Sequence, residues 1–262
     1  MKKQGSRTLF VNAVEKGFQV LSAFRRAQRE IGASDLSLTE IAQFCEFDTS
    51  TAQRFTNTLV ELGYLEKDER TKHYRPSIKL LDLSYTYLVQ SKLAEAAMPT
   101  LIEVSRKLDT SINLCELHDT EIVYTIRIPH EKRAYRTTIP GRRVPASCTS
   151  GGIAILSHRR EEEVNAILEA SEMRAYTEWT ITDMDKIREK IELARKNSYH
   201  MSIQQMVPGE ISTASPILDA NGYALASVQI PVYMPKWTVE MIEEKIVPLV
   251  MGAAQEISRA LL

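Results

Sequence analysis

The residues with the greatest capacity for chemistry are of two kinds. Nucleophiles and metal ligands form the first. Ser147, Ser150, Gly151 and Gly152 lie close together, but a G-x-S-x-G nucleophile elbow would need glycine at position 148, where Cys148 stands. Ser150-Gly151-Gly152 reads better as the start of a helix. Cys45, Cys115 and Cys148 are far apart, odd in number and form no C-x-x-C pair, so neither a disulfide framework nor a zinc knuckle is expected. They read as small buried hydrophobes. His118, His130, His158 and His200 lack ligand spacing, and Cys115 with His118 has no second pair to complete a zinc site. There is no G-x-G-x-x-G, no P-loop and no H-E-x-x-H. No catalytic residue, metal or cofactor is therefore expected, and the chain does not read as an enzyme.

The second kind is a polar surface at helical spacing. Thr49, Ser50, Thr51, Gln53, Arg54, Thr56 and Asn57 supply hydroxyls, two amides and one guanidinium, with no acid until Glu61. Hydroxyls at a helix N-terminus can bond phosphates. Gln and Asn can pair with adenine and Arg with guanine in the major groove. The bland alternative is a solvated face, which usually carries Glu and Lys instead.

The elements that must hold this surface are legible nearby. Val14, Phe18 and Leu21 recur at helical spacing, which predicts an amphipathic helix over about residues 12–25. Arg25, Arg26, Gln28 and Arg29 form a basic stretch behind it. Ser37-Leu38-Thr39-Glu40 has capping-box spacing, although Thr39 is an equally good N-cap, and Ile41, Ala42, Phe44 and Cys45 follow as a short helix. Asp48 then caps a second helix with Ala52, Phe55, Leu59 and Leu62 as its buried stripe and Gly63 as its αL terminator. Two short helices joined by a brief turn are a helix-turn-helix. Two strands around residues 67–71 make a wing, where Arg70, Lys72 and His73 would add salt-dependent affinity. Pro76 closes it, and Leu80, Leu81, Leu83, Tyr85 and Leu88 read as a linker helix.

Beyond residue 90 strands and helices interleave. Met98 to Leu108 is a helix. Ile112 to Leu114 and Ile122 to Ile128 are strands around His118-Asp119-Thr120, and a strand is expected at 135–139. Met184 to Ala194 is helical. Strands 214–218 and 223–230 flank Asn221-Gly222, a strong hairpin signal. Ile242 to Ile257 reads as one long helix. The fold class is α+β with a mainly antiparallel sheet.

The 262 residues are 44% hydrophobic and 26% charged, as in an ordinary globular protein with room for two domains. Residues 1–90 carry 13 Lys and Arg against 11 Asp and Glu, a mild basic bias that permits nucleic-acid binding. No apolar run approaches the roughly 18 residues of a membrane span. Leu9-Phe10-Val11 is too short for a signal-peptide core, so a cytoplasmic location and no membrane partner are expected.

The runs Leu36 to Ala42, Ser50 to Arg54 and Thr58 to Leu65, with the wing ending Tyr74-Arg75-Pro76, resemble the IclR (isocitrate lyase regulator) family in order and spacing. The likeness covers nearly the whole chain. Pro140 to Pro145 with Thr149 to Leu156, and Gly209 to Ile217, are similar to its two effector-domain signatures. Ile153 departs from the family's usual Lys, a change expected to alter the local pocket or loop, and Ser212 from its frequent Cys. The resemblance implies a winged helix-turn-helix at 8–76, a linker helix at 77–93 and a GAF-like effector-binding domain at 94–262. It implies effector contacts at Arg136, Ser150, Gly151, Ser202, Ser212, Ser227 and Gln229, with Arg136 placed to clamp a carboxylate.

The expected function is a DNA-binding transcriptional regulator whose operator affinity is set by a small organic or aromatic acid of a catabolic pathway. Tyr124, Tyr135 and the Arg127–Arg136 region lean toward an aromatic. The expected partners are a palindromic double-stranded operator, a second copy or a dimer of dimers, and RNA polymerase. Two other readings stay open: a ligand-independent architectural DNA binder, and an enzyme fused to a winged helix used for protein contacts.

Overall fold

Helix α1 runs Asn12–Ile31, well past the expected end at residue 25. Arg25, Arg26, Gln28 and Arg29 are good helix formers and prolong it until Gly32, at φ 68°, turns the chain into the left-handed region. The buried face is Val20, Ala23, Phe24 and Ala27. Val14 and Phe18, expected on that face, are 57% and 59% exposed. The computed structural model describes residues 9–108, 110–129 and 139–262, and the chain divides into two compact units between Tyr87 and Leu88.

In the first unit α1 packs with α2 (Leu38–Cys45) and α3 (Thr49–Glu61). Ser37 is the N-cap of α2. Its hydroxyl accepts from the Glu40 N–H, and the Glu40 carboxylate accepts in return from the Ser37 N–H at 2.8 Å. That reciprocal pairing settles the choice against Thr39. Asp48 caps α3 by accepting from the Thr51 N–H at 2.8 Å, and Gly63 follows the helix at φ 78°. Strands β1 (Leu65–Lys67) and β2 (Tyr74–Pro76) form the wing. Leu36, Ile41, Leu59, Leu65 and Tyr74 close the core around Val20 and Phe24. Helix α4 (Leu80–Gln90) follows and buries none of its residues.

The second unit opens with α5 (Lys92–Leu108), whose first turn is capped by the Ser91 hydroxyl. The expected single linker over 77–93 is thus α4, a break at Ser91 and the start of α5. Strands β3 (Ile112–His118), β4 (Glu121–Ile128), β5 (Arg143–Pro145), β6 (His200–Ile203), β7 (Glu210–Leu218) and β8 (Ala224–Tyr233) form one sheet in the order β5-β4-β3-β8-β7-β6, antiparallel throughout. Helices cover both faces, which is why β7 and β8 are buried nearly end to end instead of alternating. On one face Ile112, Leu114, Ile126, Val228 and Ile230 pack with Leu101 of α5 and Val250 and Ile257 of the C-terminal helix. On the other, Cys115, Ile122 and Tyr124 pack with α6 (Ser150–Leu156), α7 (Glu161–Ala170) and α8 (Met184–Asn197). Ile153 belongs to this second core and not to a pocket or loop, which explains how an apolar residue is suited there.

The long terminal helix expected over 242–257 is two helices, α9 (Val239–Lys245) and α10 (Val247–Ala260). Pro248 supplies no N–H to the preceding turn and forces the break. Helix α7 and the short strands β5 and β6 were not anticipated. The strand expected at 135–139 lies, apart from Ile139, outside the described residues. Among the described residues no helix is long and apolar enough to cross a membrane.

Candidate functional site

Each unit carries a candidate surface. In the first, α3 turns Ala52, Thr56 and Leu59 inward. Thr49, Ser50, Gln53, Arg54 and Asn57 are exposed together on the other side. Thr56 is a correction to the polar face read from sequence: it is fully buried, and its hydroxyl donates back to the Ala52 carbonyl at 2.6 Å. Thr51 is half-buried and spends its hydroxyl on the Asp48 carboxylate at 2.7 Å. At the wing tip Arg70 is exposed beside a turn held by Asp68, which accepts from the Arg70 and Thr71 N–H groups at 2.8 Å each. Lys72 pairs with Glu69 at 2.9 Å. The His73 ring is drawn back to Asp35, 3.0 Å away, so it sits on the body of the domain more than at the tip.

The second unit holds a cavity between α6 and the sheet. Its wall comprises Tyr124, Arg142, Val144, Cys148, Thr149, Ser150, Ser202, Gln205, Met206, Val207, Glu210, Ser212 and Gln229. A β-bulge sets part of this wall. Leu114 pairs with Ile126 but Cys115 pairs with Tyr124, which leaves Thr125 as the extra residue. Directly paired residues share a face, so the bulge places Tyr124 and Arg127, three residues apart, on the same side as Asn113 and Cys115. Ser150 begins α6, whose cap is the Thr149 hydroxyl accepting from the Gly152 N–H. The glycines behind it are packing devices. A Cβ on Gly152 would stand 2.2 Å from the Ala146 carbonyl oxygen, and one on Gly151 would meet Ser227, Ile122 and Cys115.

Across the sheet the buried polar groups form one directed chain. Arg127, which can only donate, bonds Asn113 Oδ1 at 3.1 Å and Ser111 Oγ at 3.3 Å. Asn113 Nδ2 must then point onward, and it donates to Gln229 Oε1 at 2.7 Å. Gln229 Nε2 donates in turn to Ser212 Oγ, which lies 2.8 Å from Ser150 Oγ. Either serine can donate to the other, because the Ser212 oxygen keeps a second lone pair after accepting from Gln229. In both senses one hydroxyl proton of the pair is not used within it. Ser202 Oγ, also in the cavity wall, is buried without a hydrogen-bond partner among the described residues.

Electrostatics agree with binding and not with catalysis. Burial pushes the Cys148 thiol up to about 12 and the Tyr124 phenol higher still, so neither ionises near neutrality. Ser150 meets Ser212 and no imidazole. Burial also raises the Glu210 carboxyl, against the Tyr233 hydroxyl and the Arg142 and Arg127 charges that lower it. Among the described residues no cluster could hold a metal ion. The cavity volume is about 30 Å³, room for a water or two. A ligand with a six-membered ring would require the wall to move.

Of the residues named from the sequence, Ser150, Ser202, Ser212 and Gln229 lie together in the wall. Gly151 and Ser227 lie behind it, where the Ser227 hydroxyl donates to the Gly151 carbonyl at 3.1 Å. Arg136 lies outside the described residues. Arg142, Cys148, Thr149, Met206 and Glu210 were not named as contacts. Period two along β7 carried a usable signal for Glu210, since it shares a face with Ser212. Arg142 stands in the first signature run after Gly141, whose φ of 89° turns the chain there.

A winged helix with an exposed polar α3, followed by a helix-covered antiparallel sheet around a buried polar cavity, defines a class: helix-turn-helix transcriptional regulators. Residues 13–69 match the IclR helix-turn-helix domain, and residues 85–259 match the bacterial transcriptional regulator IclR C-terminal domain. The chain belongs to the IclR family and is a transcriptional regulator, not an enzyme. It is 27% identical over 253 residues to the Pca regulon regulatory protein of Pseudomonas putida, covering 96% of this chain and 84% of that one. It is 25% identical over 253 residues to the p-hydroxybenzoate hydroxylase transcriptional activator of Acinetobacter baylyi, covering 95% and 91%. Its fold matches an IclR homologue from Microbacterium hydrocarbonoxydans solved with 4-hydroxybenzoate, with TM-score 0.76, 20% identity and coverage of 95% and 98%.

Proposed function

We propose that this regulator binds a palindromic operator as a homo-oligomer and that a small aromatic acid in the cavity of its second unit sets its operator affinity. The directed chain from Arg127 to Ser150 carries this reading. A guanidinium at one end fixes the sense of the bonds as far as Ser212, and whichever serine donates within the Ser212–Ser150 pair, one hydroxyl proton is left for an acceptor such as a carboxylate. The Ser202 hydroxyl and the Arg142 guanidinium in the same wall favour the same ligand. The regulatory relatives named above for Pca and p-hydroxybenzoate genes, and the 4-hydroxybenzoate held by a homologue of like fold, support the aromatic choice. Gly151 and Ser227 remain part of the proposal only as neighbours of this wall, and a contact from Arg136, outside the described residues, remains a proposal from the family resemblance alone.

On the DNA side, Thr49, Ser50, Gln53, Arg54 and Asn57 are assigned to the major groove and Arg70 and Lys72 to the backbone beside it; Thr51 and His73 would first have to leave Asp48 and Asp35. The oligomer is supported by apolar surface without a partner in one chain: Val14 and Phe18 on α1, and Leu81 and Tyr85, 63% and 68% exposed, on α4. A protein that works on an operator acts in the cytoplasm.

The test is thermal melting of the full chain against a panel of aromatic and aliphatic acids, followed by operator titration with and without the best binder. An aromatic acid is expected to raise the melting temperature and to change operator affinity at least about fivefold, the lower range of site-to-site coupling. Arg127→Met is expected to weaken that acid while leaving the unliganded operator complex intact. An operator affinity indifferent to every acid that binds would leave the ligand-independent architectural reading in its place.

A further inference from the structure

The hydrogen-bonded chain explains one side of the cavity; on the other stands the Glu210 carboxylate, which faces the Arg142 and Arg127 charges. Glu210 opens β7 and lies directly opposite Tyr233 of β8, so both side chains share the cavity face. The Tyr233 hydroxyl donates to Glu210 Oε2 at 3.0 Å. No hydrogen bond from a described residue reaches Oε1, and the residue is part of the cavity wall. Ser212, where the directed chain arrives, is two residues along the same strand and therefore on the same face. A half-buried carboxylate loses hydration and must recover it from specific partners. A cavity meant for a bare acid would gain nothing from it, because a second anion repels the first.

We propose that Glu210 determines specificity: its Oε1 accepts a hydrogen bond from the ligand, so the effector is an acid that also carries a hydroxyl or amino group distant from its carboxylate. This rests on the acid-effector reading above. The ligand is bipolar, with the carboxylate at the proton-offering side near Ser150 and Ser202 and the donor group at Glu210. A site built around such a group favours it over the analogue that lacks it, because the analogue displaces water from the carboxylate without replacing its hydrogen bond.

The test is calorimetric titration of the full-length protein with two matched pairs: 4-hydroxybenzoate against benzoate, and 4-hydroxybutyrate against butyrate. The same titrations are run on Glu210→Leu and on the near-isosteric Glu210→Gln, whose folding is checked by thermal melting. In at least one pair the native protein is expected to prefer the hydroxy acid by about tenfold or more, as a hydrogen bond to a charged group supplies. Glu210→Leu is expected to bring the ratio within about twofold, with Glu210→Gln between, since its carbonyl still accepts without the charge. Acids that bind with no preference for the hydroxyl, or with a preference that both variants keep, would overturn the role of Glu210 and leave the acid-effector reading standing. If none of the four acids binds the native protein, that reading falls and this proposal with it.

Discussion

Arg54 is the one guanidinium on the exposed side of α3, and its removal tests base readout directly. Arg54→Ala is expected to weaken operator binding by at least about tenfold, the scale of one bidentate base contact, with effector affinity unchanged; fluorescence anisotropy with a labelled operator measures the first and calorimetry the second. Gly152 tests packing instead. Because an added Cβ would stand 2.2 Å from a backbone carbonyl oxygen, Gly152→Ala is expected to cost more than about 3 kcal/mol, beyond ordinary overpacking, seen as a sharply lowered melting temperature or insoluble protein. At this scale the sequence was partly readable. The family resemblance marked Ser150, Ser212 and Gln229; residue type alone did not. It could not mark Arg127 as the head of a chain running through Asn113, because that depends on the bulge at Thr125. It could not separate Thr56 from Asn57 either, as both are polar and adjacent; only the phase of α3 divides them.

Helices without a buried face carry a different prediction. No residue of α4 is buried, yet Leu81 and Tyr85 lie four apart and so share a stripe. In a lone chain that stripe would face water, an arrangement expected of a surface meant for a partner. Leu81→Glu combined with Tyr85→Glu is expected to shift the protein toward monomer in sedimentation velocity and to weaken operator binding in parallel, while the first unit's melting transition stays in place. Element boundaries were readable where a capping residue announced them, as at Asp48 and Gly63, while at Ser37 the sequence offered Thr39 equally. They were misread where favourable composition ran past the apolar stripe, as in α1, and where Pro248 interrupted an unbroken pattern. The inward placement of Val14 and Phe18 failed for a physical reason: periodicity reveals that a helix has an apolar side, not whether its own chain or a second copy covers it.

For the molecule as a whole, acid should be more damaging than its near-neutral charge suggests. His200 is buried on β6 against Lys190 of α8, and burial followed by that charge depresses its imidazole from 6.5 to about 3. The unfolded chain takes up a proton below pH 6.5 that the native state refuses, so stability is full above that value and declines as pH falls toward 3. The slope from this one group is about 1.4 kcal/mol per pH unit. His158, lowered by burial and by Arg195, acts in the same sense. Urea titrations between pH 7 and 4.5 should show this slope, and His200→Asn should flatten it; an unchanged profile in that variant would assign the acid sensitivity elsewhere. The two-unit layout was legible because a run of short helices with caps differs in kind from strands around Asn221-Gly222. Two faces of one sheet, each with its own core, were not, since apolar strands read alike whichever side their helices cover.

For the proposed effector, a cavity of about 30 Å³ also bears on the tempo of the response. The ligand needs a roomier form, and where that form arises before binding the measured dissociation constant is the intrinsic one divided by the fraction of molecules in it. In stopped-flow mixing, the observed rate should therefore approach the rate of widening at saturating effector, rising toward it if widening is faster than effector release and falling toward it if slower. Past that plateau, flooding the cell with more effector would no longer hasten the change in transcription; the delay would belong to the regulator itself.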